Sequence, residues 1–499
     1  MAKGIMYVDN IRVEFDDEPT IMDVCRKAGV EMPNFCFHSD LSVYGACRMC
    51  MVEDLDTGKI DAACTTKPKN GMRIRTNTSR LLKYRRMILE LMLASHCRDC
   101  TACEKNRSCR LQEMAVRFGI HHVHFKDTRE HVPMDFSSPA VTFDLNKCIL
   151  CGDCVRVCKE VQGMSILHFA GRGPGLHIEA GDDQPISTTH CVSCGQCAAV
   201  CTTGAITVKN DIGAAWRALH DPQKRVVIQI APAVRVAVGE AFGFPAGENV
   251  LDKLVTALKL MGVDEVYDTT FGADFTTIAE SEEFLGRLKN GGPFPMFTSC
   301  CPAWVKYLEN ENPKYLKNIS TCKSPMEMVG AIFRDKYAAK DAADGRTTYH
   351  IAIMPCTAKK DEAARELLKH GGEQDVDLVL TVQEFAAMLD RRGIDLMSLE
   401  PAEFDSPFMS EGSGAAQLFA TTGGVMEAAL RTVSALAGGP DLGRIAFEPV
   451  RGLATFKEAE VETEAFGKLR IAVVHGMRAA DEVIRMVREG RSPYHFVEV

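Results

Sequence analysis

"FPMFTSCCPAWVKYLENE", from Phe294 to Glu311, sets the reading of the C-terminal half of the chain. The apolar "FPMFT" predicts a strand. "PAWVKYLENE" predicts a helix. Between them stand Cys300 and Cys301, a pair of neighbours too strained for a disulfide. From about residue 224 the same alternation repeats: "RVVIQIAP" reads as strand and "EEFLGRLK" as helix, "YHIAIMP" as strand and "KKDEAARELLK" as helix. "DLVLT" with "VQEFAAMLDRRG", and "LRIAVVHG" with "AADEVIRMVREG", continue it. Strands alternating with amphipathic helices predict α/β architecture with a mostly parallel sheet. Such sheets place their ligands beyond the carboxyl ends of the strands. Cys300 and Cys301 fall there, and so does Cys356 in "MPCTAKKDE" (Met354–Glu362).

The chain has 499 residues, too many for one core, so several domains are expected. A hydrophobic content of 46% and a charged content of 25% are ordinary for a globular protein. A net charge of −9, with no broad Lys/Arg face, argues against nucleic acid as a partner. "RLLKYRR" reads as a solvated helix face. The N-terminus reads as a strand, without a charged segment, an apolar run and a cleavage site. No apolar run is long enough to span a bilayer. The expected location is cytoplasmic. Against that background 21 cysteines stand out, because clustered cysteines in a reducing compartment bind metal more often than they form disulfides.

The cysteine spacings divide the N-terminal half. "CILCGDCVRVC" carries Cys148, Cys151, Cys154 and Cys158, and "CVSCGQCAAVC" repeats the spacing with Cys191, Cys194, Cys197 and Cys201. Two C-x2-C-x2-C-x3-C runs are the mark of a two-cluster ferredoxin-like unit, in which the fourth cysteine of each run ligates the other cluster. One [4Fe-4S] cluster is therefore expected on Cys148, Cys151, Cys154 and Cys201, and another on Cys191, Cys194, Cys197 and Cys158; zinc knuckles rarely show this doubling. Upstream, a hairpin ("GIMYVDNIRVEF") and a helix ("TIMDVCRKAGV") precede Cys36, Cys47, Cys50 and Cys64. That order suggests a β-grasp domain with a [2Fe-2S] cluster, zinc being the alternative. Next, His96, Cys100, Cys103 and Cys109 in "HCRDCTACEKNRSC" fit either zinc or a third [4Fe-4S], and their position between two cluster domains favours the latter. A histidine ligand would raise that cluster's potential. Cys97 reads as a bystander, and Cys25 and Cys322 as buried free thiols.

These motifs together resemble the large, multi-cluster [FeFe]-hydrogenases over the whole chain. The first 210 residues alone are also similar to the largest iron–sulfur subunit of respiratory NADH dehydrogenases and to some formate dehydrogenases; the α/β region decides between them. The fold expected is multidomain α+β and α/β. It comprises a [2Fe-2S] β-grasp domain (1–79) and a small helical domain with one histidine and three cysteine ligands (80–125). A two-cluster ferredoxin-like domain (139–210) and a large α/β catalytic domain (224–499) follow. The resemblance implies an H-cluster, a [4Fe-4S] cubane joined to a di-iron unit carrying CO and cyanide. It implies that Cys301 and Cys356 ligate the cubane and that Lys359 contacts a cyanide. Cys300 would carry protons, relayed through Glu280, Ser320, Glu283 and Arg287. Ala231, Pro232, Ser324, Met354 and Phe419 would line the pocket. Read from the residues alone, Glu280 and Glu283 would be a solvated helix face, Lys359 an ordinary helix-start lysine, and the pocket residues core. The implied reaction is reversible 2H⁺ + 2e⁻ to H2. The implied partners are ferredoxin or NAD(P)H-linked diaphorase subunits, plus maturation machinery for the di-iron unit.

The sequence departs from the family at its end. The family's third motif, with two further cysteines, follows a strand like "YHFVEV", and here that strand closes at Val499. The expectation is a catalytic domain incomplete at its C-terminus, making little or no H2 as the 499-residue chain alone. The alternatives are an iron–sulfur electron-transfer subunit, a hydrogen sensor, or a cluster-assembly relative with a degenerate hydrogenase domain. The intact Cys300–Cys301 pair argues against the sensor and the assembly protein.

Overall fold

The computed structural model describes residues 4–127, 131–406, 409–440, 442–443, 445–450, 453–463 and 465–499. They form two compact units. The first runs to Thr189 and takes in Gln196–Val208; the second comprises His190–Gly195 and Lys209–Val499.

The first unit opens with a five-stranded sheet, in the order Ile11–Phe15, Gly4–Val8, Arg73–Arg75, Met51–Asp54, Ile60–Ala62. Asp9 (φ 50°) and Asn10 (φ 75°) make the two-residue hairpin turn, a geometry that suits the twist of the flanking strands. Helix Ile21–Lys27 is capped by Thr20, which accepts from Asp23 N–H, and it packs Ile21, Val24 and Cys25 onto Met6, Val8 and Phe15. Each such side chain, fully buried, stabilises the fold by roughly 1.5–3 kcal/mol.

Helix Ser79–Ala94 corrects one expectation. "RLLKYRR" is not a uniformly solvated face, because Arg85 is only 3% exposed. Its guanidinium donates to the carbonyls of Met49 (3.0 Å), Thr76 (2.8 Å) and Met51 (2.7 Å). The Met49 and Met51 carbonyls flank Cys50. A planar cation with five donors satisfies three acceptors at once, which no apolar residue could do. Beyond helix Arg110–Arg117 come two antiparallel ribbons, Val141–Phe143 with Ile206–Val208 and Leu167–Ala170 with His177–Ala180.

The second unit holds two sheets. One is wholly parallel, in the order Glu265–Asp268, Lys224–Ile230, Thr347–Met354, Leu378–Thr381. Its strands are near-continuous apolar runs because both faces are covered, and Ile228, Ile230, Ile351 and Ile353 share a core with Leu254 and Phe385. In the other, Met296–Phe297, Phe496–Glu498 and Gly467–Val474 are parallel, and Leu453–Thr463 and then Glu448–Val450, at the edge, add antiparallel strands. Two details differ from the sequence reading. The "FPMFT" strand is regular over only two residues; Thr298 N–H still reaches the Val497 carbonyl (3.1 Å), and on the strand's other side the Phe297 carbonyl accepts from Ser320 N–H at 2.8 Å. The helix after Cys356 stops at Ala363, and the rest of "KKDEAARELLK" makes a short turn, Glu366–Leu368. No helix among the described residues is long and apolar enough to cross a membrane.

Candidate active site

The carboxyl ends of these parallel strands gather the cysteine motifs. Ala231 and Pro232 follow strand Lys224–Ile230, Met354 ends strand Thr347–Met354, and Cys356 comes two residues later. Cys300 and Cys301 follow Met296–Phe297, and Cys301 caps helix Pro302–Glu311. Trp304, fully buried against Phe297 (ring centroids 5.1 Å apart), seats that helix. Burial pushes the Cys301 thiol up to about 11, with Cys356 next in effect, and pushes Cys300 well above the usual thiol range. A cation beside Cys301, such as an iron–sulfur cubane would supply, offsets the burial that keeps its thiol neutral.

A file of polar groups stands near Cys300, whose thiol feels the charge of Glu280. Glu280, on helix Thr270–Asn290, is fully buried; Ser299 N–H lies 3.3 Å from its Oε1, and its Oε2 has no hydrogen-bond partner. Desolvation lifts its carboxyl from 4.5 to about 7, against the lowering effects of Ser299 and Ser320. Glu283, one turn on, accepts from Ser320 Oγ (3.2 Å), Thr321 N–H (2.9 Å) and Thr321 Oγ1 (3.1 Å) on one oxygen. Its other oxygen takes Arg287 at 2.5 Å. Arg287 also donates to the carbonyls of Asn318 (3.0 Å) and Ile319 (2.8 Å). Glu280 and Glu283 therefore do not form a solvated face.

Lys359 Nζ donates to the Cys300 carbonyl (3.0 Å) and to Glu362 (2.7 Å). Its ammonium is a resident of the site, not an ordinary surface charge. Ser324, 2% exposed at the head of helix Pro325–Asp344, has an Oγ with no partner. A buried orphan such as Ser324 Oγ is what a polar cofactor would satisfy. Phe419 closes the short helix Gly414–Leu418. Cys322 is half-buried; its N–H bonds to Ser320 Oγ (3.2 Å) and its carbonyl accepts from Ser299 Oγ (2.7 Å).

In the first unit, Cys148, Cys151, Cys154 and Cys201 line one largely apolar cavity. Leu150 N–H points at Cys148 Sγ (3.4 Å), Ile206 N–H at Cys201 Sγ (3.4 Å) and Thr202 Oγ1 at Cys151 Sγ (3.7 Å). Four thiols of soft donor character, met by N–H and O–H groups, fit an iron–sulfur cluster. Leu150 (φ 58°) and Gly152 (φ 76°) turn the first loop, and Ser193 (φ 59°) and Gly195 (φ 72°) turn the second in the same way. Leu and Ser in the left-handed region are costly enough to mark a built loop. Cys191 and Cys194 belong to the second unit, and Cys197 and Cys158 to the first.

Cys36, Cys47, Cys50 and Cys64 are all buried. Cys47 N–H points at Cys36 Sγ (3.4 Å) and Phe35 N–H at Cys47 Sγ (3.4 Å). Hydrogen bonding within the pairs Cys36–Cys47 and Cys50–Cys64 lowers Cys47 and Cys50 at the expense of their partners. Cys100 and Cys103 share one turn, Cys109 caps helix Arg110–Arg117, and buried His96 accepts from Arg98 N–H at Nδ1 (3.2 Å). Burial raises Cys100 and Cys109.

Sequence reasoning missed Ser299, Thr321, Glu362 and Glu498. Glu362 could have been found, since it sits three residues after Lys359 on one helix face. Glu498 accepts from Met426 N–H (2.7 Å) and Gly423 N–H (3.2 Å), and burial lifts it to about 7.

Comparison with known proteins agrees with this geometry. Residues 224–499 match the family described as iron only hydrogenase large subunit, C-terminal domain. Residues 5–79 match a 2Fe-2S iron-sulfur cluster binding domain, 85–124 an NADH-ubiquinone oxidoreductase-G iron-sulfur binding region, and 140–202 a 4Fe-4S dicluster domain. The NADP-reducing hydrogenase subunit HndD of Solidesulfovibrio fructosivorans is 37% identical, with 100% of this chain aligned to 87% of that protein. Iron hydrogenase 1 of Clostridium pasteurianum is 34% identical over 99% of this chain and 86% of its own length. A solved variant of the apo [FeFe]-hydrogenase HydA1 from Chlamydomonas reinhardtii superimposes with a TM-score of 0.52 at 34% identity, covering 58% of this chain and 81% of that one. With iron–sulfur domains ahead of a hydrogenase domain whose strand ends carry these cysteines, the chain belongs to the iron-only, or [FeFe], hydrogenase family.

Proposed function

We propose that the protein catalyses reversible reduction of protons, 2H⁺ + 2e⁻ to H2. The observation that carries this reading is the file Arg287, Glu283, Ser320, Glu280, Cys300. It leads a proton from the half-buried Glu283–Arg287 pair to a thiol beside Cys301 and Cys356. Cys301 and Cys356 would hold the cubane of an H-cluster, which when bound supplies the metal at which hydrogen is made or split.

The chain's own residues manage the protons. Arg287 holds one Glu283 oxygen, so the other stays directed at Ser320. Ser320 has one hydroxyl, and rotation lets it pass a proton between Glu283 and Glu280. Glu280, lifted to about 7 by burial, changes charge in the neutral range, which suits a group that both takes and gives a proton. Cys300 then delivers the proton as a thiol. Lys359 would supply a cationic donor to a cyanide of that group, with Ser324, Met354, Ala231, Pro232 and Phe419 shaping a dry pocket.

On this reading Cys36, Cys47, Cys50 and Cys64 carry one [2Fe-2S] cluster in a β-grasp domain. His96, Cys100, Cys103 and Cys109 carry a [4Fe-4S] in the small helical domain, and the two ferredoxin-like runs carry one each. The domain limits are 1–79, 80–125, 139–210 and 224–499. Electrons arrive from NAD(P)H-linked subunits or ferredoxin, in the cytoplasm, after maturation machinery has installed the di-iron unit. A relative described as an NADP-reducing hydrogenase subunit supports the NAD(P)H-linked choice.

The test is anaerobic production from the full-length gene with di-iron maturation proteins. H2 evolution from reduced dye, together with infrared bands of CO and cyanide, would establish the reaction. Iron and acid-labile sulfide without those bands or H2 would replace it with electron transfer alone.

A further inference from the structure

Helix Pro325–Asp344 carries a carboxyl group that the proton file does not use, within the field of Glu362, Lys359, Asp375 and Lys323. Glu327, on helix Pro325–Asp344, is 1% exposed, and its Oε1 has no hydrogen-bond partner. Three residues on, the same helix presses on the Asp375 backbone: a Cβ at Gly330 would come within 2.7 Å of the Asp375 carbonyl oxygen. The charged groups about Glu327 come from three elements. Lys323, just ahead of its own helix, pairs with Asp375 at 2.5 Å. Lys359 and Glu362, on helix Ala358–Ala363, pair at 2.7 Å. Asp375 is itself buried, its Oδ1 likewise without a partner. His350, whose ring meets the Asp375 carbonyl at 2.9 Å, is held neutral by burial.

The arrangement sets two cations against three carboxyl groups, and each cation already has a carboxylate of its own. A third ionised carboxylate among them would sit desolvated and repelled by Glu362 and Asp375. Keeping its proton avoids this. Desolvation first, and Glu362 second, accordingly lift Glu327 to about 8.

We propose that Glu327 is a positioning residue for Lys359: uncharged, it leaves the ammonium with Glu362 as its one carboxylate and therefore available on the Cys300 side of the site. This rests on the reading of Lys359 as the cyanide-facing donor. Ionised, Glu327 would compete with Glu362 for the ammonium and draw it away from the cofactor. The acid thus makes the strength of the Lys359 contact depend on pH.

Two measurements separate this inference from the functional reading beneath it. The first uses the full chain without its di-iron unit, labelled with ¹³C-glutamate, in infrared difference spectra across the neutral and alkaline range. A protonated-carboxyl band should disappear with a midpoint near 8 and be missing in Glu327→Gln, an isostere of the neutral acid. Glu327→Met, which carries no proton, should lose it too and guards against misfolding of one variant. An unchanged titration in both variants would overturn the proposal, whatever the protein's activity. The second uses the loaded protein, where the wild-type cyanide stretch should shift across the same midpoint and the Glu327→Gln stretch should not. The same pH dependence in both would equally overturn it. Absence of any cyanide band, with the first titration intact, would count against the hydrogenase reading and remove the positioning role with it.

Discussion

The Thr357 hydroxyl donates to the Ser193 carbonyl at 3.0 Å, joining the residue after Cys356 to the residue before Cys194. The fit allows nothing larger two positions on. Gly195 stands at φ 72°, and a Cβ there would meet Thr357 Oγ1 at 2.3 Å. A second tie, His190 to Glu311 at 2.6 Å, holds the start of the same loop.

Gly195→Ala should therefore disturb electron delivery without touching a ligand. The left-handed backbone alone costs about 1–2 kcal/mol for alanine, and the clash pushes the loop off Thr357. Thr357→Val, which only deletes the hydrogen bond, should cost about 1 kcal/mol and disturb it less. Rapid-mixing reduction with a low-potential dye ranks the two. Equal rates for Gly195→Ala and wild type would show that the contact does not serve electron transfer.

Glu280→Gln should lower H2 turnover by roughly 10²–10⁴-fold, the usual weight of a positioned acid or base, with iron content unchanged. A stability effect accompanies it. The Glu280 carboxyl is raised from 4.5 to about 7 in the fold. Between those values the folded chain holds a proton that the unfolded chain has released, so wild-type stability falls as pH rises through that window. Removing the group should flatten the fall by ~3 kcal/mol at about 1.4 kcal/mol per unit. Denaturant midpoints on either side of that window, for both proteins, would show it; parallel pH dependences would mean Glu280 titrates as an ordinary carboxyl.

How far the sequence revealed this depends on what each residue's role rests on. "PAWVKYLENE" announced its helix, and the two C-x2-C-x2-C-x3-C runs announced a two-cluster domain, because periodicity and ligand spacing are written along the chain. Arg85 was misread because three carbonyls from separate loops, not its helical neighbours, decide its place. The antiparallel strands Leu453–Thr463 and Glu448–Val450 broke an otherwise parallel pattern that no alternation could forewarn of. Glu280 and Glu283 looked solvated on their own helix. The residues that cover them, Ser299, Ser320 and Thr321, are remote in sequence, and only the family resemblance pointed to the two acids.

Ser320 and Thr321 offer neighbouring hydroxyls to the same Glu283 oxygen, at 3.2 and 3.1 Å, yet only Ser320 also faces Glu280. Ser320→Ala should cut H2 turnover at least about tenfold, since it breaks the file between the two acids. Thr321→Val should leave turnover within about twofold, because Glu283 keeps Ser320, Arg287 and the Thr321 N–H. Steady-state rates in H2O and D2O discriminate the roles. Thr321→Val losing as much as Ser320→Ala would mean that the hydroxyls act by holding Glu283 and not by passing protons.

Arg85→Met keeps most of the buried stem and deletes the guanidinium, so it isolates the value of the three carbonyl bonds. Met49, Thr76 and Met51 would each lose a donor in a region closed to water, at about 1–3 kcal/mol apiece when left unpaired. Allowing for relaxation of the loop, a total of about 3 kcal/mol is expected. The damage should be local. Met49 and Met51 flank Cys50, so the visible absorption of the [2Fe-2S] domain should bleach at lower denaturant than in wild type, while absorption from the remaining clusters persists. If all cluster absorption is lost together at the wild-type midpoint, Arg85 is a tolerated buried cation and the Cys50 loop is held by other bonds.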